Sequence, residues 1–231
     1  MNGLMSLKKN TAEYLPDDPR FGKSDDELKA YYSSKPAEWA IYCWDKPDSL
    51  ECRGTNLQEQ KLYVSRFFEK VVGYGHIVSD NALDTLGTTF FLQLDARDEV
   101  ENFLESEPLN KLGVYKSIDI HRWSNSFIRR QKDYKRKGQK QFLLTGSKID
   151  NTEDLFNAHL NSHEKYFRSY ENNFIFRGPI CSDDGSNNIG TALLIELSDK
   201  LAAEKFWANE PFVANNGYKE DARIYRWVFG D

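Results

Sequence analysis

The sequence matches itself. GTTFFLQLDARDEVENFLESEP at residues 87–108 aligns without a gap on GTALLIELSDKLAAEKFWANEP at residues 190–211. Extended backwards in the same register, Gly75 falls on Gly178, Asp80 on Asp183, Tyr63 on Tyr166 and Gln60 on His163. Extended forwards, GVYKSIDIHRW from Gly113 falls on GYKEDARIYRW from Gly217 after a small slip. Two copies about a hundred residues apart point to duplicated domains rather than to a solenoid of short repeats. The expected organisation is an N-terminal extension over residues 1–36, a first repeat over 37–123, a basic linker over 124–139 and a second repeat over 140–231.

Each copy reads β-α-β-β-α-β. In the second, residues 141–146 form a short apolar strand. Leu155, Phe156, His159, Leu160, His163, Tyr166, Phe167 and Tyr170 recur at three- and four-residue steps, which predicts a helix over 153–170. Asn172-Asn173 turns the chain, residues 174–180 and 191–197 read as strands, Ser198 is placed to cap a helix over 199–208, and a last strand covers about 220–229. This order is the ferredoxin-like split βαβ arrangement. Leu193, Ile195 and Leu197 oppose Ala192, Leu194 and Glu196; Phe90, Leu92 and Leu94 oppose Phe91 and Gln93; Phe174 and Phe176 oppose Ile175 and Arg177. Strands apolar on both faces must be covered on both. Helices cover one face, and the other copy's sheet is the natural cover for the second. The fold class is therefore α+β: two fused ferredoxin-like βαββαβ repeats forming one pseudo-dimeric α+β barrel.

Bulk properties narrow the function. A formal charge of -5 argues against a protein-wide nucleic-acid footprint. The 15 Phe, 12 Tyr and 5 Trp supply a substantial core. Cys43, Cys52 and Cys181 are odd in number and carry no C-x-x-C, which fits a reducing, cytoplasmic location. MNGLMSLKKN lacks the apolar run of a signal peptide, and no apolar stretch approaches a membrane span. In the extension, Ser24 and Glu27 form a capping box for a short helix over about 25–32, closed by Pro36. The linker carries Arg129, Arg130, Lys132, Lys135, Arg136, Lys137 and Lys140; it reads as a solvated connector around the barrel, with a phosphate-binding strip as the rival reading.

DKPDSLECR at residues 45–53, the helical histidine, the strand ending in Gly178-Pro179, the Asp/Gly loop after it and the Glu-Pro…Gly-Tyr ending together resemble the YCII-related (YciI-like) family of the dimeric α+β-barrel superfamily. The resemblance spans both copies. It implies a barrel of the kind usually made by two separate chains, here covalently fused. It further implies a helical His and an Asp after the Gly-Pro strand acting as an acid–base pair on chlorinated or hydroxylated ring compounds. Carried over, the His is His163 and the Asp is Asp183, or Asp184 if the loop shifts by one. In the first copy the His position holds Gln60 and the Pro position His76, leaving Asp80 alone. The family shows Asp-Pro where this chain has Glu107-Pro108 and Glu210-Pro211.

The residues themselves bear two readings. His163 lies on the apolar helix face, so it is either a satisfied core histidine or a buried acid–base group oriented by a carboxylate. Asp183 is either that orienting carboxylate or a turn residue. Asp184, Tyr166, Arg177, His159, Gln60 and Asp80 are possible pocket residues, against packing and surface charge. His159 and His163 stand four apart, but no motif places a third ligand, so no metal is expected, nor a cofactor. Cys181 reads as an inert thiol. Walker, dinucleotide and G-x-S-x-G fingerprints are absent from the sequence. The reading is a small-molecule enzyme using His163 and Asp183 for elimination, isomerisation or hydrolysis on a ring-like substrate. Its rivals are a non-catalytic ligand-binding barrel and a monooxygenase of the same superfamily. The expected partner is a small-molecule substrate, with no membrane involved.

Overall fold

The structure, a computed structural model, describes residues 21–127 and 129–231; the reading of the first ten residues lies outside them. The chain divides at Pro36 into two units. In the first, α1 (Asp25–Ser34) begins with the expected capping box: the Ser24 N–H and hydroxyl both donate to Glu27 Oε2 at 2.7 Å.

The second unit contains the duplication. The first copy runs β1 (Glu38–Asp45), α2 (Leu50–Ser65), β2 (Val71–Val78), β3 (Thr85–Gln93), α3 (Arg97–Ser106), α4 (Pro108–Lys111) and β4 (Tyr115–Trp123). The second runs β5 (Lys140–Ser147), α5 (Glu153–Ser169), β6 (Phe174–Cys181), β7 (Asn188–Leu197), α6 (Lys200–Ala208), α7 (Pro211–Ala214) and β8 (Arg223–Phe229). The cap of α6 sits one residue later than expected: Asp199, not Ser198, accepts from the Ala202 N–H at 2.8 Å. All pairings are antiparallel, and the strands close in the order β1-β3-β2-β8-β5-β7-β6-β4.

Two seams join the copies, β2 to β8 and β4 to β6. The repeated glycine occupies both. A Cβ on Gly178 would run into the Ser124 carbonyl, and one on Gly75 into the Val228 carbonyl and the Trp227 ring. The two strands of each seam approach too closely for any side chain there. Trp123 Nε1 donates across one seam to the Gly178 carbonyl at 3.2 Å, and Trp227 Nε1 donates to Thr89 Oγ1 of the other copy at 2.8 Å.

Three apolar clusters follow from the two-faced strands. One lies between the first sheet and α2–α3, with Phe90, Leu92 and Phe103. Its counterpart under α5–α6 holds Leu193, Ile195 and Phe206. The third fills the barrel between the sheets, with Phe91, Leu143, Ala192, Leu194, Trp123 and Trp227. The expected alternation fails at one place. A register shift between Phe174 and Phe176 turns Phe176 inward beside Ile175, because an extra residue reverses the side-chain alternation. The matching shift occurs between Val71 and Gly73 in the first copy.

The basic linker is a solvated connector only in part: Lys132, Lys135, Arg136, Lys137 and Lys140 are exposed, but Arg129, Arg130, Gln131 and Tyr134 anchor the segment to the barrel. Tyr134 is buried in the barrel cluster, and Gln131 Oε1 accepts the Tyr74 N–H at 2.8 Å. Arg130 donates to the Glu69 carbonyl at 2.5 Å and to Gln93 Oε1 at 2.9 Å, and Arg129 to the Phe174 carbonyl at 2.8 Å. These two guanidinium groups, committed to main-chain carbonyls and to Gln93, are not available to a phosphate strip. The segment closes the end of the barrel where β6 begins, with the Tyr134 hydroxyl 3.4 Å from the Asn173 carbonyl.

Candidate active site

The site is built at the N-terminus of a four-residue helix. Glu210 precedes Pro211, whose fixed φ and missing N–H suit the first helical position of α7. As N-cap, Glu210 uses one oxygen, Oε2, to accept the Val213 N–H at 3.0 Å. The other, Oε1, lies 2.6 Å from His163 Nδ1 on α5. The carboxylate is 1 % exposed and the imidazole side chain 17 %. Phe212 stacks on the imidazole, with centroids 4.2 Å apart and planes 14° apart, and Phe167 approaches at 4.1 Å. The ring is therefore held on its face by aromatics and on Nδ1 by an acceptor. Nε2 has no hydrogen-bond partner among the described residues.

This corrects the expected pairing. The carboxylate on His163 belongs to Glu210, whereas Asp183 is exposed and lies 3.2 Å from Arg97. Its counterpart Asp80 does the same with Lys200, at 2.5 Å. Arg97 and Lys200 each open the helix after the third strand of their own copy. The repeated aspartate thus ties the loop of each copy to a helix start in the other, a reciprocal pair of surface bridges. Asp184 folds back on its own loop, accepting from the Ser182 hydroxyl at 2.5 Å and the Ser186 N–H at 3.1 Å, and these bonds lower its carboxyl to about 2.

The other expected pocket residues are structural or peripheral. The Tyr166 hydroxyl donates to the Phe206 carbonyl at 2.9 Å, as the matching Tyr63 does to Phe103 at 2.7 Å. The Arg177 guanidinium lies over Phe127, Phe167 and Phe174. His159 is half-buried one turn before His163 on α5. Among the described residues no group of His, Cys, Asp and Glu could hold a metal ion, and no helix is long and apolar enough to cross a membrane.

The first copy shows what the same position becomes without histidine. Gln60 Nε2 donates to Glu107 Oε1 at 2.7 Å and lies 2.9 Å from the Tyr115 hydroxyl, while the Tyr74 hydroxyl donates to Gln60 Oε1 at 3.0 Å. Glu107 caps α4 through the Asn110 N–H at 2.7 Å, as Glu210 caps α7. Gln60 and Glu107 are both fully buried, and burial pushes the Glu107 carboxyl above its usual range against the Asn110 and Gln60 bonds. Beside them the Asp45–Arg53 pair is bidentate, at 2.5 and 2.6 Å, and buried. The matching positions of the second copy hold Lys148 and Phe156, with Lys148 Nζ 4.6 Å from the Phe156 ring centre and Phe156 tilted against Phe212, with centroids 4.1 Å apart. The first copy thus holds a buried Asp–Arg pair beside its glutamine, and the second a lysine and a phenylalanine beside its histidine.

No protein-family model matches the sequence, and no curated protein does. Solved structures do match its fold. A chlorite dismutase from Candidatus Nitrospira defluvii is 9 % identical, with 89 % of this chain and 96 % of that one covered and a TM-score of 0.57. An anthrone oxidase-like protein is 11 % identical, with 85 % and 93 % covered and a TM-score of 0.50. A 5-chloro-2-hydroxyhydroquinone dehydrochlorinase from Burkholderia phenoliruptrix, solved with 2,5-dihydroxybenzoquinone, is 25 % identical but matches only 38 % of this chain (95 % of its own), with a TM-score of 0.37. The full-length likenesses support the fold seen here: a pseudo-dimeric α+β barrel, with both halves carried by one polypeptide.

Proposed function

We propose that the protein is a small-molecule enzyme whose acid–base group is His163, oriented by Glu210. The observation that carries this reading is the asymmetry of one repeated position. Gln60 is sealed and every polar atom of its amide is engaged, whereas His163 keeps part of its ring exposed and Nε2 unengaged. Glu210 accepts at Nδ1, so the neutral ring carries its proton there and presents a lone pair at Nε2. When Nε2 takes a proton, the carboxylate 2.6 Å away stabilises the imidazolium. Elimination would run as follows: the C–H proton goes to Nε2, its electron pair forms the new double bond, and the leaving group departs with its own pair. Isomerisation would return the proton to another carbon, and hydrolysis would draw it from water. The motif resemblance to YciI-like proteins suggests chlorinated or hydroxylated ring compounds as substrates.

The test is turnover of a panel of such compounds by the full chain and by His163→Gln. A rate loss of roughly two to four orders of magnitude with unchanged melting is the expected scale for an acid–base group. Unchanged turnover in His163→Gln refutes the proposal.

A further inference from the structure

A cavity lies inside the barrel, on the opposite face of the sheets from His163. The barrel has two ends. Tyr134 and Gln131 fill the one where β6 begins. At the other, a cavity of about 350 Å³ opens between the copies, lined by Tyr42, Trp44, Asp119, His121, Thr145 and Tyr225 among others. The size is that of a small-ligand pocket.

The repeat makes the lining informative. Tyr42 and Thr145 are matching positions of β1 and β5; Asp119 and Arg223, and His121 and Tyr225, are matching positions of β4 and β8. The two halves differ at these matching positions. Here one half supplies Tyr, Trp, Asp and His, and the other Thr, Ser, Arg and Tyr. Four rings form the walls: Trp44 and Tyr225 with centroids 5.2 Å apart, Tyr42 and His121 5.6 Å apart. Trp44 Nε1 donates to Asp119 Oδ2 at 2.7 Å, which fixes the indole and leaves the second carboxylate oxygen as an acceptor at the rim. The Tyr42 hydroxyl is the second pointer. Tyr42 is only 5 % exposed, and its hydroxyl has no hydrogen-bond partner among the described residues. A buried phenol hydroxyl without a partner costs free energy that an acceptor reaching it from the cavity would recover. Burial, with Tyr225 and Asp119 nearby, holds that phenol protonated, and burial keeps His121 below its usual range and therefore neutral.

We infer that this blind cavity binds an uncharged, planar aromatic molecule of one or two rings bearing a hydroxyl group. The rings stack within the aromatic walls. The hydroxyl oxygen accepts from Tyr42, and its hydrogen is donated to Asp119. Two carboxylates at the rim, Asp119 and Asp221, against the single guanidinium of Arg223, disfavour an anion.

The probes are 2-naphthol and 2-naphthoate, which share a ring system and differ in charge. Titrated into the full chain and followed by calorimetry, 2-naphthol is expected to bind saturably below about 1 mM, and 2-naphthoate at least tenfold more weakly. Tyr42→Phe keeps the ring and removes the orphan hydroxyl, so it is expected to weaken 2-naphthol roughly three- to tenfold without lowering the melting temperature. Thr145→Phe places a ring in the cavity and is expected to abolish binding. The inference is overturned if the folded protein shows no saturable binding in that range. It is equally overturned if both probes bind alike, or if Tyr42→Phe binds 2-naphthol as tightly as the parent.

Discussion

Acidification from pH 8 to pH 5 should cost the fold about 2 kcal/mol through His76 alone. His76 stands on the helix-covered face of β2, 8 % exposed, where β6 of the other copy has Pro179. Its Nδ1 makes one long contact, 3.4 Å to Thr88 Oγ1, and its Nε2 is buried without a partner among the described residues. Burial, aided by the charges of Arg53 and Lys61, lowers its pKa from 6.5 to about 3. A histidine whose folded pKa is depressed binds its proton more readily when the chain is unfolded. Its contribution is constant above about pH 6.5 and is lost progressively as pH falls from there towards 3. At pH 5 the unfolded imidazole is almost wholly protonated and the folded one almost wholly neutral, which gives the figure above. The assay is urea unfolding at both pH values for the parent and for His76→Leu, since the double difference cancels every other titrating group. The parent should lose about 2 kcal/mol more than the variant. At pH 8 the variant should be no less stable, because it removes a buried, unpaired nitrogen. An identical pH dependence in the two proteins would refute the reasoning.

Two further outcomes follow from the seams and the surface bridges. Gly178→Ala should destabilise by about 3 kcal/mol or more, because the new methyl meets the Ser124 main chain and not a movable side chain; urea unfolding measures it. Asp183→Ala should leave turnover and melting temperature unchanged, since its partner Arg97 is an exposed cation on the far copy; a loss of turnover comparable to that of His163→Gln would return Asp183 to the chemistry.

Much of this was legible in the sequence because duplication is a constraint that survives divergence. Apolar residues on both faces of Leu193–Leu197 and Phe90–Leu94 required a second sheet, and the other copy is that sheet. The bulge at Phe176 was not legible, since one extra residue in a strand leaves no mark on an already apolar run. Asp183 was misread because a strand end near a Gly-Pro in sequence need not be near the helix histidine in space. The true partner had a signal: Glu107-Pro108 and Glu210-Pro211 recur at matching positions. Each Glu caps a short helix with one oxygen and has the other left to meet the side chain at the Gln60 or His163 position. The barrel-mouth residues had no signal, because Tyr42, Asp119 and His121 lie where the two copies differ.

The central claim is that Glu210 makes Nε2 the reactive atom of His163, and it can be tested before any substrate is known. Long-range proton–nitrogen correlation spectra of the labelled protein report which ring nitrogen of the neutral imidazole carries hydrogen. The account predicts His163 protonated at Nδ1 and bare at Nε2, with that preference lost in Glu210→Ala. A proton on Nε2 in the parent protein would contradict it.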